Sequence, residues 1–118
     1  MMDIGSRART LPAPPHIVWG SLVEPRRPNA RPWLNLLSDE TEPKILAAEE
    51  PATVVWSSLW PNRPGDQVRF ELRAADGGTL LRFTLLAAGQ PPDPSKLGHM
   101  RHRMNKLLFA DLRYSYGQ

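Results

Sequence analysis

The sequence predicts a single α+β domain in which a run of antiparallel strands is covered on one face by a long C-terminal helix. Three observations predict it. Between Lys44 and Ala87 the apolar residues recur with a period of two, the spacing of strands with one wet face. From Asp93 to Tyr114 they recur every three or four residues, the spacing of a helix. The chain has 118 residues, the size of one compact domain rather than two.

The 13 prolines mark the boundaries of the elements, because proline lacks an N–H and restricts the residue before it. Arg7 to Leu11 reads as a brief extended segment. Pro14 and Pro15 suit a first helical turn, Val18, Trp19, Leu22 and Val23 follow at helical spacings, and Glu24 with Pro25 closes a short helix. After the turn at Arg26 to Asn29, Pro32 to Leu37 suggests a second small helix that packs Trp33, Leu36 and Leu37; it is too short to stand alone. Lys44 to Glu49 is a weak strand, joined across Glu50 and Pro51 to the β-branched and aromatic run Thr53 to Trp60. The two faces of that run are equally apolar, so its orientation stays open. Val68, Phe70 and Leu72 alternate with Gln67, Arg69, Glu71 and Arg73, and Ala75 to Gly78 supplies turn chemistry. Leu81, Phe83 and Leu85 then share one face of the returning strand, which makes a hairpin. Asp93 caps the long helix with Pro94 at its first position, and Leu97, Met100, Met104, Leu107, Leu108 and Leu112 line its apolar face. Its other faces carry Lys96, Arg101, His102, Arg103, Lys106 and Arg113. The domain is therefore expected over residues 7–114, with 1–6 and 115–118 as flexible termini.

Composition narrows the chemistry. With no cysteine there is no disulfide, no thiolate nucleophile and no cysteine-based zinc or iron–sulfur site, which fits a reducing compartment. The first ten residues have arginines but no apolar core of a signal peptide, and no apolar run reaches the roughly 18 residues of a membrane helix. A soluble, cytoplasmic protein without membrane association is the expectation.

The order of these motifs is distinctive. Leu11 to Pro25 (LPAPPHIVWGSLVEP), followed by Trp33, resembles the opening of the START-like, helix-grip superfamily, also called SRPBCC or polyketide cyclase/activator-of-Hsp90-ATPase-like. Asp76 to Arg82 (DGGTLLR) is similar to the glycine–threonine hairpin of that family, and the final amphipathic helix stands where its gripping helix stands. The resemblance runs from Arg7 to Leu112 and lies in the order of the motifs. It implies a helix-grip fold, a curved antiparallel sheet wrapped on the last helix with a hydrophobic cavity between them. Members usually carry six or seven strands. About five fit here, because Asp39 to Lys44 leaves no room for an early hairpin, so this resembles a shortened member.

Members of the superfamily bind hydrophobic ligands, cyclise polyketides or act as accessory proteins, so the site has to be sought in the residues. The first expectation is a small hydrophobic ligand in a cavity lined by Trp33, Trp56, Phe70, Phe83, Met100 and Met104, with Ser58 as a polar anchor. The same side chains are what a small core needs for packing. The alternative is an interaction or accessory module of the Hsp90-activator type with a filled cavity, a homodimer or protein partner meeting aromatic surface near Trp60. A cyclase or aromatase-like enzyme comes third, because no catalytic constellation is identifiable. Asp39, Glu40 and Glu42, like Glu49 and Glu50, read as solvated loop carboxylates with no histidine nearby in sequence. His99 and His102 stand three apart on the long helix without a third ligand, and His16 reads as a helix-terminus residue, so neither a metal nor a cofactor is expected. The pI near 9.8 and the basic residues Arg101, Arg103 and Lys106 meet the electrostatic test for nucleic acid. The net charge of +3 is mild and no recognition motif accompanies it, which argues against that partner.

Overall fold

The computed structural model describes residues 1–117; Gln118, the end of the expected tail, lies outside the described residues. In chain order the elements are β1 (Met2–Leu11), α1 (Pro15–Val23), β2 (Ile45–Glu49), β3 (Thr53–Ser57), β4 (Gln67–Ala75), β5 (Gly78–Ala87) and α2 (Pro94–Lys106). Helix α2 continues through a π-helical stretch (Leu107–Leu112) and a last turn (Arg113–Ser115), 22 residues in all. The five strands make one curved antiparallel sheet in the order β1-β5-β4-β3-β2. This is the α+β, helix-on-sheet arrangement that the two periodicities predict.

The alternation on β4 and β5 becomes a register. Val68 faces Leu85, Phe70 faces Phe83 and Leu72 faces Leu81, so three apolar pairs stand side by side on the helix side of the sheet. Met100, Met104, Leu107, Leu108 and Leu112 of the long helix are buried in the same cluster. On β3 the open orientation is settled: Val54 and Trp56 point inward, while Thr53, Val55 and Ser57 are half-buried. The long helix starts as its cap predicts, with the Asp93 carboxylate accepting from the Lys96 amide at 2.9 Å.

Three expectations are corrected. The first strand begins at Met2, not Arg7, and residues 2–6 are strand rather than a flexible terminus. They have little apolar pattern of their own and are drawn into the sheet by pairing with β5, from Met2 against Ala87 onward. The tail at 115–117 is also held: Ser115 ends the helix, and the Tyr116 hydroxyl donates to Ser21 Oγ at 2.7 Å. The second small helix at Pro32 to Leu37 is absent; that segment is irregular chain. Consecutive residues Trp33 and Leu34 are buried there while Leu37 is exposed, a pattern no single helix face produces. Side chains supply hydrogen bonds a helix would have made: Leu37 N donates to nearby Glu40 Oε1, and Asn35 O accepts from distant Arg103.

The glycine pair of the β4–β5 turn has two different reasons to be glycine. Gly77 has φ +76°, the left-handed region, with nothing within 4 Å of a would-be Cβ. Gly78 is ordinary in φ, but a Cβ there would run into the Leu11 carbonyl oxygen at the end of β1. Next to it Thr79 Oγ1 donates to Ala13 O at 2.7 Å, so the hairpin tip holds the chain as it leaves β1 for α1. Gly77→Ala should therefore cost about 1 kcal/mol, the backbone penalty alone. Gly78→Ala should cost more than twice as much, because backbone has to move. Urea unfolding of the two variants checks this, and equal losses would contradict the close approach.

Candidate functional site

The residues expected to line a cavity do come together, as a packed interior. Trp33 stacks on Trp56 with centroids 6.1 Å apart, and Phe70 meets Trp56 edge-on at 4.7 Å. Phe83, Met100 and Met104 belong to the same cluster. Each of these six side chains keeps 3% or less of its accessible surface. A void large enough for a water beside them would leave area on them, so five of them touch protein on all sides and Trp33 on all but a small outer part. The Ser58 hydroxyl, expected as a polar anchor, is spent locally: it accepts from Trp60 N at 3.0 Å and points to Trp60 O at 3.2 Å. Trp60, expected as exposed aromatic surface, is 1% exposed and closes the end of the sheet.

The indole nitrogens explain how this interior is fixed. Trp56 Nε1 donates to Leu22 O at 2.9 Å, satisfying a carbonyl that α1 leaves open at its C-terminal end. Trp19 Nε1, on α1, donates to Thr53 O at 3.0 Å. Two crossed bonds thus lock α1 to β3. That positions the chain between Glu24 and Trp33, which forms the rim of the fold.

At this rim lies a pocket of about 320 Å³. Its walls are Ile17 and Ser21 of α1, the loop from Glu24 to Arg31, and Ser115 and Tyr116 at the far end of the long helix; Trp33 is its apolar floor. Trp33 is also the outer member of the stack with Trp56, so one indole separates the pocket from the interior. The polar groups are ordered. The Arg27 guanidinium lies over Gly20, where a Cβ would crowd it, and pairs with Glu24 at 3.4 Å. Arg31 donates to Tyr114 O and lies over the Tyr114 ring, 5.6 Å from its centroid. Burial pushes the Tyr116 phenol above its ordinary pKa, against the smaller opposing effects of Ser21 and Arg27, so it remains a protonated donor.

The carboxylate cluster expected to be solvated contains one residue that is not. Glu40 has a fully buried side chain, and Arg103 keeps 8% of its surface. Arg103 Nε and Nη2 each donate to the Glu40 carboxylate at 2.8 Å, and Nη2 also reaches Asn35 O at 3.0 Å. Burial alone would raise the Glu40 pKa. The Arg103 hydrogen bond, the Leu37 amide and the charges of Arg103 and His99 together outweigh it and hold the carboxyl below the usual range. The pair straps the loop from Asn35 to Glu40 onto the long helix. Spacing placed it close to the core: Arg103 sits three after Met100 and four before Leu107, at the border of the apolar stripe. Its partner lies 63 residues away, where no local pattern reaches.

CalU16 from Micromonospora echinospora superposes with a TM-score of 0.62 at 19% identity, over 87% of this chain and 69% of its own. The Aha1 dimer from Colwellia psychrerythraea gives 0.66 at 16% identity, over 93% and 92%. Ara h 8.0201 gives 0.57 at 16% identity, over 97% of both chains. This chain has the helix-grip fold. No protein-family model and no curated protein matches the sequence. At these identities the likeness is one of fold, and the helix-grip frame carries no function with it. Among the described residues no helix is long and apolar enough to cross a membrane, and no three side chains group as metal ligands.

The strap gives this helix-grip chain an acid-sensitive element. Because the Glu40 pKa is lowered on folding, the unfolded chain binds more protons in the acid range. The stability is present above the unfolded value of about 4.3 and is lost as pH falls through the lower folded value. Glu40→Gln leaves Arg103 buried with a weaker partner and should cost about 3 kcal/mol near neutral pH. It should also flatten the acid limb of the stability profile. Urea unfolding across the acid range measures both; an unaltered acid limb would contradict the pair.

Proposed function

We propose that the protein is a binding protein for a small amphipathic ligand, seated in the rim pocket with its apolar part on Trp33 and its polar end toward Arg27 and Arg31. The observation that carries this reading is the position of Trp33, which floors an open pocket of about 320 Å³ and at the same time caps the aromatic interior. Ile17, Trp33 and Tyr116 supply apolar walls, while Ser21, Arg27 and Arg31 supply a few placed polar groups, the composition typical of small-molecule sites. The ligand site expected from the sequence, deeper between sheet and long helix, connects to this one through the same indole. From this pocket, a ligand would reach Trp56 only if Trp33 left its stack on that ring. The role is one of binding rather than catalysis: Glu24 is tied to Arg27, and Tyr116 is engaged with Ser21.

A second reading, an interaction or accessory module, is supported by the other end of the sheet. Strand β2 is an edge with all five residues exposed, including Ile45 and Leu46 at 38% and 50%. A second copy pairing along this edge would make a dimer, which sedimentation analysis reads directly.

Anilinonaphthalene sulfonate, an apolar ring system with one anionic group, is a suitable probe. It should bind the native protein saturably. Ile17→Glu, a charge placed on an exposed pocket wall, should weaken binding by about tenfold, and Arg31→Ala by a few-fold. Probe affinity indifferent to Ile17→Glu, in a variant that keeps its thermal transition, would overturn the rim site.

A further inference from the structure

On β1 the face turned toward the long helix carries two arginines, Arg7 and Arg9, both solvent-exposed. Arg7 pairs with Phe83, Arg9 with Leu81 and Leu11 with Thr79, so Arg7 and Arg9 lie on the same face as core residues of β5. An apolar residue is expected there. The two guanidinium groups, two residues apart on one strand face, have no acidic partner among the described residues. Opposite them the helix presents His102, Asn105, Lys106 and Phe109, spaced as one stripe. A groove of about 280 Å³ runs between the two stripes, lined by these six side chains and Ala110. Arg101 lies along the groove's continuation, its stem laid over Gly5 so closely that a Cβ there would meet Cδ at 3.2 Å.

Two further observations point to a missing ligand. Asn105 Oδ1 is buried in this wall without a hydrogen-bond partner. The oxygen has almost no accessible surface as placed, so the amide would have to turn to present a donor or an acceptor to a molecule in the groove. The π-helical stretch begins here, and it brings Lys106 and Asp111, five residues apart, into contact. Asp111 is the one carboxylate that the helix places against the groove; Asp3, on β1, is turned to the Gly5 amide. Arg7, Arg9 and Arg101 thus have no ion-pair partner among the described residues, whereas Lys106 is paired with Asp111. Like charges held together on rigid elements cost stability unless an anion sits between them.

We propose that this groove binds a small phosphomonoester with a flat organic part, its phosphate gripped by Arg7 and Arg9 with Lys106, and its ring against Phe109. Two forked guanidinium groups side by side fit a doubly charged tetrahedral oxyanion better than a single carboxylate, which one fork would satisfy. Phe109 is half-buried and lies 6.1 Å from Phe83, so it is a fixed wall. The groove shares no lining residue with the rim pocket, so the two proposals stand or fall separately.

Phenyl phosphate is the probe, titrated into the full chain at low salt and followed by amide NMR shifts and calorimetry. Saturable binding should shift the amides of residues 5–11 and 102–110. Arg7→Ala and Arg9→Ala should each weaken it by about tenfold, the loss of one charge-assisted contact. Arg73→Ala, which removes an exposed charge from β4, should leave it unchanged. Phe109→Leu should weaken phenyl phosphate but not inorganic phosphate. Absence of saturation, or equal losses in the Arg9 and Arg73 variants, would overturn the proposal. So would tight binding of a single-stranded oligonucleotide that phenyl phosphate fails to displace, which would assign the arginines to a nucleic-acid backbone instead.

Discussion

Trp56 is the side chain on which the other elements converge. It points inward from β3, carries Trp33 on one face, meets Phe70 edge-on and ties its indole N–H to the last turn of α1. A ring pair of this kind contributes about 1 kcal/mol beyond its buried area, and the buried hydrogen bond adds specificity because leaving either partner unmet is costly. The consequence is geometric. With an indole at this point the space between sheet and gripping helix is filled, and the openings left to a small molecule lie at the margins of the fold. The core of a chain of this size needs its aromatic rings for packing.

The two periodicities were legible because each reports burial on one side of one element. Strand β4 alternates cleanly since its other face is half-buried or exposed, while on β5 Thr84 and Leu86 of the other face are buried as well; the long helix shows a stripe because only one face meets the sheet. Strand β3 could not be oriented from its residues: Val55 on the outer side is nearly as apolar as Val54 and Trp56 on the inner, and it is half-covered. The segment Pro32 to Leu37 misled for a related reason. Trp33, Leu36 and Leu37 have helical spacing, but six residues cannot repay helix nucleation, and the segment's backbone groups are met by Glu40 and Arg103 instead. Residues 2–6 lacked any pattern, since their strand is imposed by the neighbour they pair with.

The candidate site was legible in parts. Trp33 and its aromatic neighbours could be named from the sequence, because large apolar residues in a small domain have few places to go. What they enclose could not, since a lined cavity and a packed core use the same residue types. Tyr116, Ser21 and Arg31 were invisible as a group: they meet only when the end of the long helix returns to α1, as the bond between Tyr116 and Ser21 across 95 residues shows.

Charged residues on apolar stripes mark the remaining departures from simple patterning, and the structure treats its two cases differently. Arg103 intrudes on the helix stripe, and its charge is answered inside the fold by Glu40, with the Asn35 carbonyl taking another of its donors. That arrangement is closed, and it serves to strap a loop that has no secondary structure of its own. Arg7 and Arg9 intrude on the strand stripe and are answered by nothing comparable among the described residues. The buried Arg103 requires a partner, whereas the exposed Arg7 and Arg9 carry no burial penalty to be met. The fold tolerates the second cluster only because it opens on a groove, where solvent or an anion reaches it. A closed pair and an open pair of cations, on facing elements of one domain, therefore carry opposite meanings: one holds the chain to itself, and the other is directed outward.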